Sequence, residues 1–91
     1  MLEIIELQIT GKDSEKVKAC LKQLFKQVQK DKDIMIKVYS KLNVDNDFSI
    51  HLFDNTNTLE QHGSALGQHL VSILEEFGLV NHSIWIEKTT Q

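Results

Sequence analysis

The sequence predicts an α+β fold of the ferredoxin-like class: a βαββαβ sandwich with a four-stranded antiparallel sheet and two helices on one face. Three observations predict it. Apolar residues recur with period two in four stretches and with a helical period in two others. These stretches follow one another as strand, helix, strand, strand, helix, strand. The middle strands are joined by Asn43-Val44-Asp45-Asn46-Asp47, residues that tolerate positive φ and form hairpin turns. Right-handed crossovers then place both helices on the same side of the sheet.

Residues 2–9 set Ile5, Leu7 and Ile9 on one strand face and Ile4, Glu6 and Gln8 on the other. Thr10-Gly11-Lys12 turns the chain, and Asp13 or Ser14 caps a helix over 14–30 with Glu15 in its first turn. Val17, Cys20, Leu21, Leu24, Phe25 and Val28 form its apolar stripe, and Lys16, Lys18, Lys22, Lys26 and Lys30 lie opposite. After the charged connection 30–33, residues 34–42 alternate, with Ile34, Ile36, Val38 and Leu42 against Met35, Lys37, Tyr39 and Lys41. Residues 48–53 alternate again, with Phe48, Ile50 and Leu52 against Ser49, His51 and Phe53.

Asn57 and Glu60 have the spacing of a capping box and open a helix predicted over 57–77. Its stripe is Leu59, Leu66, Leu70, Ile73, Leu74 and Phe77, and Gly78 is placed to stop it. The last strand, 82–87, points Ile84 and Ile86 toward the helices and Ser83 and Trp85 away.

The chain of 91 residues is the size of one small domain, 1–91. Its ten basic residues are all lysine, and the net charge is −3. The lack of arginine argues against nucleic-acid binding, because bidentate reading of phosphate or guanine relies on it. No apolar run reaches the roughly 20 residues of a membrane span, and the N-terminus lacks the pattern of a signal peptide. With one cysteine, Cys20, a cytoplasmic protein without membrane association is expected. Charge is divided unevenly: residues 1–41 hold nine lysines and six acids, residues 42–91 one lysine and seven acids.

The sheet face turned away from the helices is expected to carry Ile4, Met35, Tyr39, Phe53 and Trp85 among Glu6, Gln8, Lys37, Ser49, His51 and Ser83. These aromatic and sulfur side chains exceed what a solvated sheet face needs, and they are of the kinds enriched in interface cores. A homodimer packed sheet to sheet is therefore expected.

No phosphate loop, Cys-x-x-Cys or His-Glu-x-x-His is present, and no metal or cofactor is expected. His62 and His69, seven apart, would project within about 20° of each other but about 10.5 Å apart along a helix, too far for one metal ion. They border the predicted stripe and could look into a space between helix and sheet, where neutral imidazole serves as a base or hydrogen-bond partner. Gly63 and Gly67 lie on the opposite border, leaving room for another backbone or for a ligand. His51 is expected on the open face near Glu6, as an interface pair or a dyad, and His82 at the start of the last strand, capping the sheet.

The element order, the strand Phe48–Phe53 and the segment Leu59-Glu60-Gln61-His62-Gly63-Ser64 resemble the antibiotic-biosynthesis monooxygenase family of dimeric α+β barrel proteins. That resemblance implies a sheet-to-sheet dimer and cofactor-free oxygenation of a quinol-type aromatic by dioxygen. His62 would then be the catalytic residue, binding or deprotonating a phenolic oxygen; His69, Tyr39, Trp85 and His51 are the candidate substrate-binding residues around it. Two departures stand out: Phe53 occupies the place of a common tryptophan, and Gln8 is the nearest polar residue to the first-strand asparagine of heme-degrading members. The alternative is a non-enzymatic dimer of this fold that holds a small molecule as a binding or regulatory module.

Overall fold

The computed structural model describes residues 1–28, 33–44, 46–54 and 63–89. Among them the elements are β1 (Leu2–Ile9), α1 (Ser14–Val28), β2 (Ile34–Ser40), β3 (Asp47–Asp54), α2 (Ala65–Leu74) and β4 (Gly78–Trp85). The strands form one antiparallel sheet in the order β2-β3-β1-β4, which is the ferredoxin-like arrangement.

Period-two patterning decides which side each strand buries. Ile5, Leu7 and Ile9 of β1 and Phe48, Ile50 and Leu52 of β3 are buried together with Val17, Leu21, Leu24 and Val28 of α1 and Leu70 and Leu74 of α2. Each such side chain contributes about 1.5–3 kcal/mol when fully buried. The two central strands hold the best-buried positions, and Ile5 and Ile50 sit directly opposite each other, both fully buried. The hairpin turn behaves as its residues dictate: Asn43 adopts φ 64°, which asparagine tolerates. Asp13 caps α1, its carbonyl accepting the Val17 N–H at 3.0 Å.

The second half departs from the sequence expectation in four ways. The helix described here begins at Ala65 with Ser64 as its N-cap, while the predicted capping box, Asn57 and Glu60, lies outside the described residues. Gly63 is not helical: its φ is 91°. The helix ends at Leu74, so Phe77 falls in the following turn, with its N–H on the Leu74 carbonyl at 2.9 Å. Gly78 therefore does not stop the helix; it starts β4 opposite Ile9, where a Cβ would run into the Gln8 carbonyl oxygen. Only a glycine permits that backbone approach.

β4 thus begins four residues earlier than expected and ends at Trp85, which leaves Ile86 beyond the strand and 58% exposed rather than under the helices. Leu42 is corrected likewise. β2 closes at Ser40, and Leu42 stands in the turn, 86% exposed. In both cases the alternation runs past the last residue that has a strand partner.

Replacing Ile50 with alanine is expected to lower the free energy of unfolding by about 2–5 kcal/mol. Leu42→Ser should change it by less than about 0.5 kcal/mol. Urea denaturation of the two variants measures both; a comparable loss from each would place Leu42 in the core.

Candidate functional site

The strand registers divide the open face into four rows that run across the sheet. The first is Met35, Phe53, Leu2 and Trp85, apolar from edge to edge. The second is Lys37, His51, Ile4 and Ser83, and the third Tyr39, Ser49, Glu6 and Asn81. The fourth brings Asp47, Gln8 and Leu79 together, with the Lys41 N–H on the Asp47 carbonyl extending it to the β2 side. The face therefore grades from apolar to polar along the strands. Met35 and Trp85 are 55% and 57% exposed.

Two shallow hollows occupy the polar end. One of about 300 Å³ is lined by Tyr39, Lys41, Asp47, Ser49 and Glu6, among others. The other, about 290 Å³, is lined by Glu6, Gln8, Asp47, Leu79 and Asn81, among others. Glu6 and Asp47 line both, so the hollows adjoin across the β1–β3 seam. Rings on this face are held by serines two residues before them on the same strand. Ser49 Oγ is hydrogen-bonded to His51 Nε2 at 3.1 Å, and Trp85 Nε1 donates to Ser83 Oγ at 3.0 Å. The rings of Tyr39 and His51 pack with centroids 4.8 Å apart, tilted at 56°. Both predicted ring residues of β2 and β3 thus come together, and Trp85 lies at the far edge. The expected pairing of His51 with Glu6 is not what the register makes: His51 sits opposite Ile4 and bonds Ser49, while Glu6 accepts from Asn81 Nδ2 at 3.5 Å.

On the other side of the sheet lies an arrangement outside the sequence expectations. Glu3 shares the helix-facing side of β1 with Ile5 and is only 1% exposed. Its Oε1 accepts the Ser64 N–H at 2.8 Å, and its Oε2 lies 2.9 Å from His82 Nε2. Ser64 Oγ in turn accepts the Gly67 N–H at 3.0 Å, and Gln68 Nε2 donates to the Gly63 carbonyl at 3.0 Å. α2 has no acidic residue in its first turn, and Glu3 supplies from the sheet the carboxyl that a helix N-terminus favours. Gly63 and Gly67 make room for it. A Cβ on Gly67 would collide with the Glu3 carboxyl, and one on Gly63 would meet both that carboxyl and the His82 ring. Glycine is also what φ 91° at position 63 requires. The signal was present: Glu3 and His82 share the inward parity of their strands, and two glycines four apart sit where the helix begins.

This anchor decides where the helix histidines go. The face of α2 laid on the sheet is the Gly67, Leu70 and Leu74 side, so His69 is exposed to solvent rather than turned into the helix–sheet space. His62 lies outside the described residues. His82 is within β4, opposite Ile5, rather than at its start. Among the described residues no group of three or more His, Cys, Asp or Glu side chains could hold a metal ion, and no helix is long and apolar enough to cross a membrane. Comparison with family models, curated proteins and solved structures finds no significant match to this chain.

The Glu3–Gly67 contact makes a prediction about coupling. Glu3→Ala strands the Ser64 N–H and the His82 ring nitrogen and is expected to cost about 2–4 kcal/mol. Gly67→Ala alone should destabilise by about 1–3 kcal/mol through the clash. In the Glu3→Ala background the same change should be neutral or stabilise by up to about 1 kcal/mol, because the collision is gone and the helix propensity gain remains. A double-mutant cycle by urea unfolding should therefore show a coupling of at least about 1 kcal/mol; strict additivity would mean that the carboxyl does not occupy the space over Gly67.

Proposed function

We propose that this protein is a homodimeric binding module that holds a small polar molecule on its open sheet face. The observation that carries this reading is the pair of adjoining hollows around Glu6 and Asp47, on the face that also presents an exposed row of Met35 and Trp85. A face of that apolar content favours a protein partner, and its polar end offers concavity and oriented side chains. Glu6, Asp47 and Ser49 are acceptor-rich, and Tyr39 adds a ring wall. A ligand that presents hydrogen-bond donors, such as a small amine, matches that lining. His51 takes part by holding the Tyr39 ring, and Trp85 by closing the apolar end against the second subunit.

Titration of the isotope-labelled chain with a library of small amines, amino acids and organic acids tests the reading. Amide shifts that cluster at Tyr39, Ser49 and Asn81 are expected. Shifts confined to residues around α2 would overturn it. The oxygenase reading is carried by the resemblance through His62. It requires oxygen uptake with a panel of quinols and anthrones that falls at least tenfold in His62→Ala; no uptake from the unmodified chain would sink it.

A further inference from the structure

The four rows of the open face are ordered so that the face complements itself in one orientation. We infer that two copies pack about a two-fold axis parallel to the strands, midway between β1 and β3, and that each copy closes the other's hollow. This rests on the dimer proposed above and specifies how it is built.

Two in-plane axes bring such a face onto itself with the strands of the two sheets aligned. An axis perpendicular to the strands reverses the row order. It sets Phe53 over the partner's Asp47 and Leu2 over the partner's Gln8, which buries polar groups against apolar ones. An axis parallel to the strands keeps each row at its own height and exchanges the sheet edges, β2 over β4 and β3 over β1. Met35 then faces the partner's Trp85, and Phe53 the partner's Leu2. In the second row the same operation sets Lys37 over the partner's Ser83 and His51 over the partner's Ile4, and at the polar end it sets acceptors opposite donors. Glu6 lies across from the hydroxyl of the partner's Ser49, Asp47 from the side-chain amide of the partner's Gln8, and Tyr39 from the amide of the partner's Asn81. No carboxyl is laid over a carboxyl. Buried carboxyls require such partners, and of the two axes this one alone supplies them to Glu6 and Asp47, which the other lays over Ile4 and Phe53.

The site follows from the symmetry. The hollow at Tyr39 and Lys41 lies on the β2 side of the seam, and the hollow at Leu79 and Asn81 on the β4 side. Exchanging the edges lays one over the other, so the partner's Leu79 and Asn81 roof the hollow floored by Tyr39 and Ser49. Two equivalent chambers form, and neither is complete in a single chain.

Cysteine cross-linking in a Cys20→Ser background tests this. Lys37 and Ser83 share a row at opposite edges of one sheet, about 14 Å apart, yet the parallel axis stacks each over the other's position in the partner at about the 10 Å sheet spacing. A short bismaleimide should link the Lys37→Cys/Ser83→Cys protein into dimers at least tenfold more efficiently than either single variant. The pair Tyr39→Cys/Asn81→Cys, one row along, should behave in the same way and serves if the first pair perturbs folding. Efficient linking by Lys37→Cys alone, or no linking by either double variant, overturns the parallel-axis arrangement while leaving a dimer standing. Light scattering of the unmodified chain separates the two claims: a monomer at micromolar concentration removes the dimer itself.

Discussion

The carboxyl of Glu3 is the constraint on which the second half of this fold depends. A carboxyl that is 1% exposed must be met by hydrogen-bond partners or it costs several kcal/mol. Here it takes the Ser64 N–H at the start of α2 and the His82 ring from β4. Three segments distant in sequence, β1, the helix entry and β4, are thereby tied at one point. Among the described residues no buried side-chain nitrogen or oxygen is left without a partner.

The same contact explains residues that helix propensity alone would reject. Each glycine within a helix costs about 1 kcal/mol relative to alanine. Gly67 is retained because the Glu3 carboxyl occupies the space its side chain would fill. Gly63 lies before the helix, at a positive φ that lets the chain enter over His82. Once the glycine side of α2 is committed to the sheet, geometry turns the histidine side outward, and the exposure of His69 follows from the burial of Gly67.

This separates what could be read in the sequence from what could not. The strand and helix order, the parity of every strand and most of the open face were legible because burial imposes period two and period 3.6 on the chain; Asp47, Leu79 and Asn81 of that face were not, because they lie outside the predicted strand bounds. Boundaries were less so. Leu42 and Ile86 continue the alternation after the partner strand has ended, and alternation carries no mark of where pairing stops. Gly78 has the position of a helix stop in sequence, and its use against the Gln8 carbonyl depends on a strand 70 residues away in the chain. The site residues divide along the same line. Tyr39, His51 and Trp85 lie on the face that parity assigned them, because facing is local. Glu3 is not legible as an anchor because an inward acid reads as an exception until its partners are in place, and those partners are fixed only by tertiary packing.

The two faces of the sheet are therefore not independent. β4 is an edge strand held on one side only, by β1, and edge strands are the ones most free to slip in register. A slip of one residue would turn Leu79, Asn81, Ser83 and Trp85 under the helices and bring Val80, His82 and Ile84 to the open face. The bond between His82 and Glu3 opposes that slip, since it exists in one register and its loss strands a buried carboxyl. Gly78 opposes it from the other end of the strand, because any residue shifted into its place would bring a Cβ against Gln8. The row order of the open face, and the position of Asn81 and Leu79 beside Glu6, are thus set from beneath the sheet. A polar contact buried on the helix side fixes the chemistry offered on the side left open.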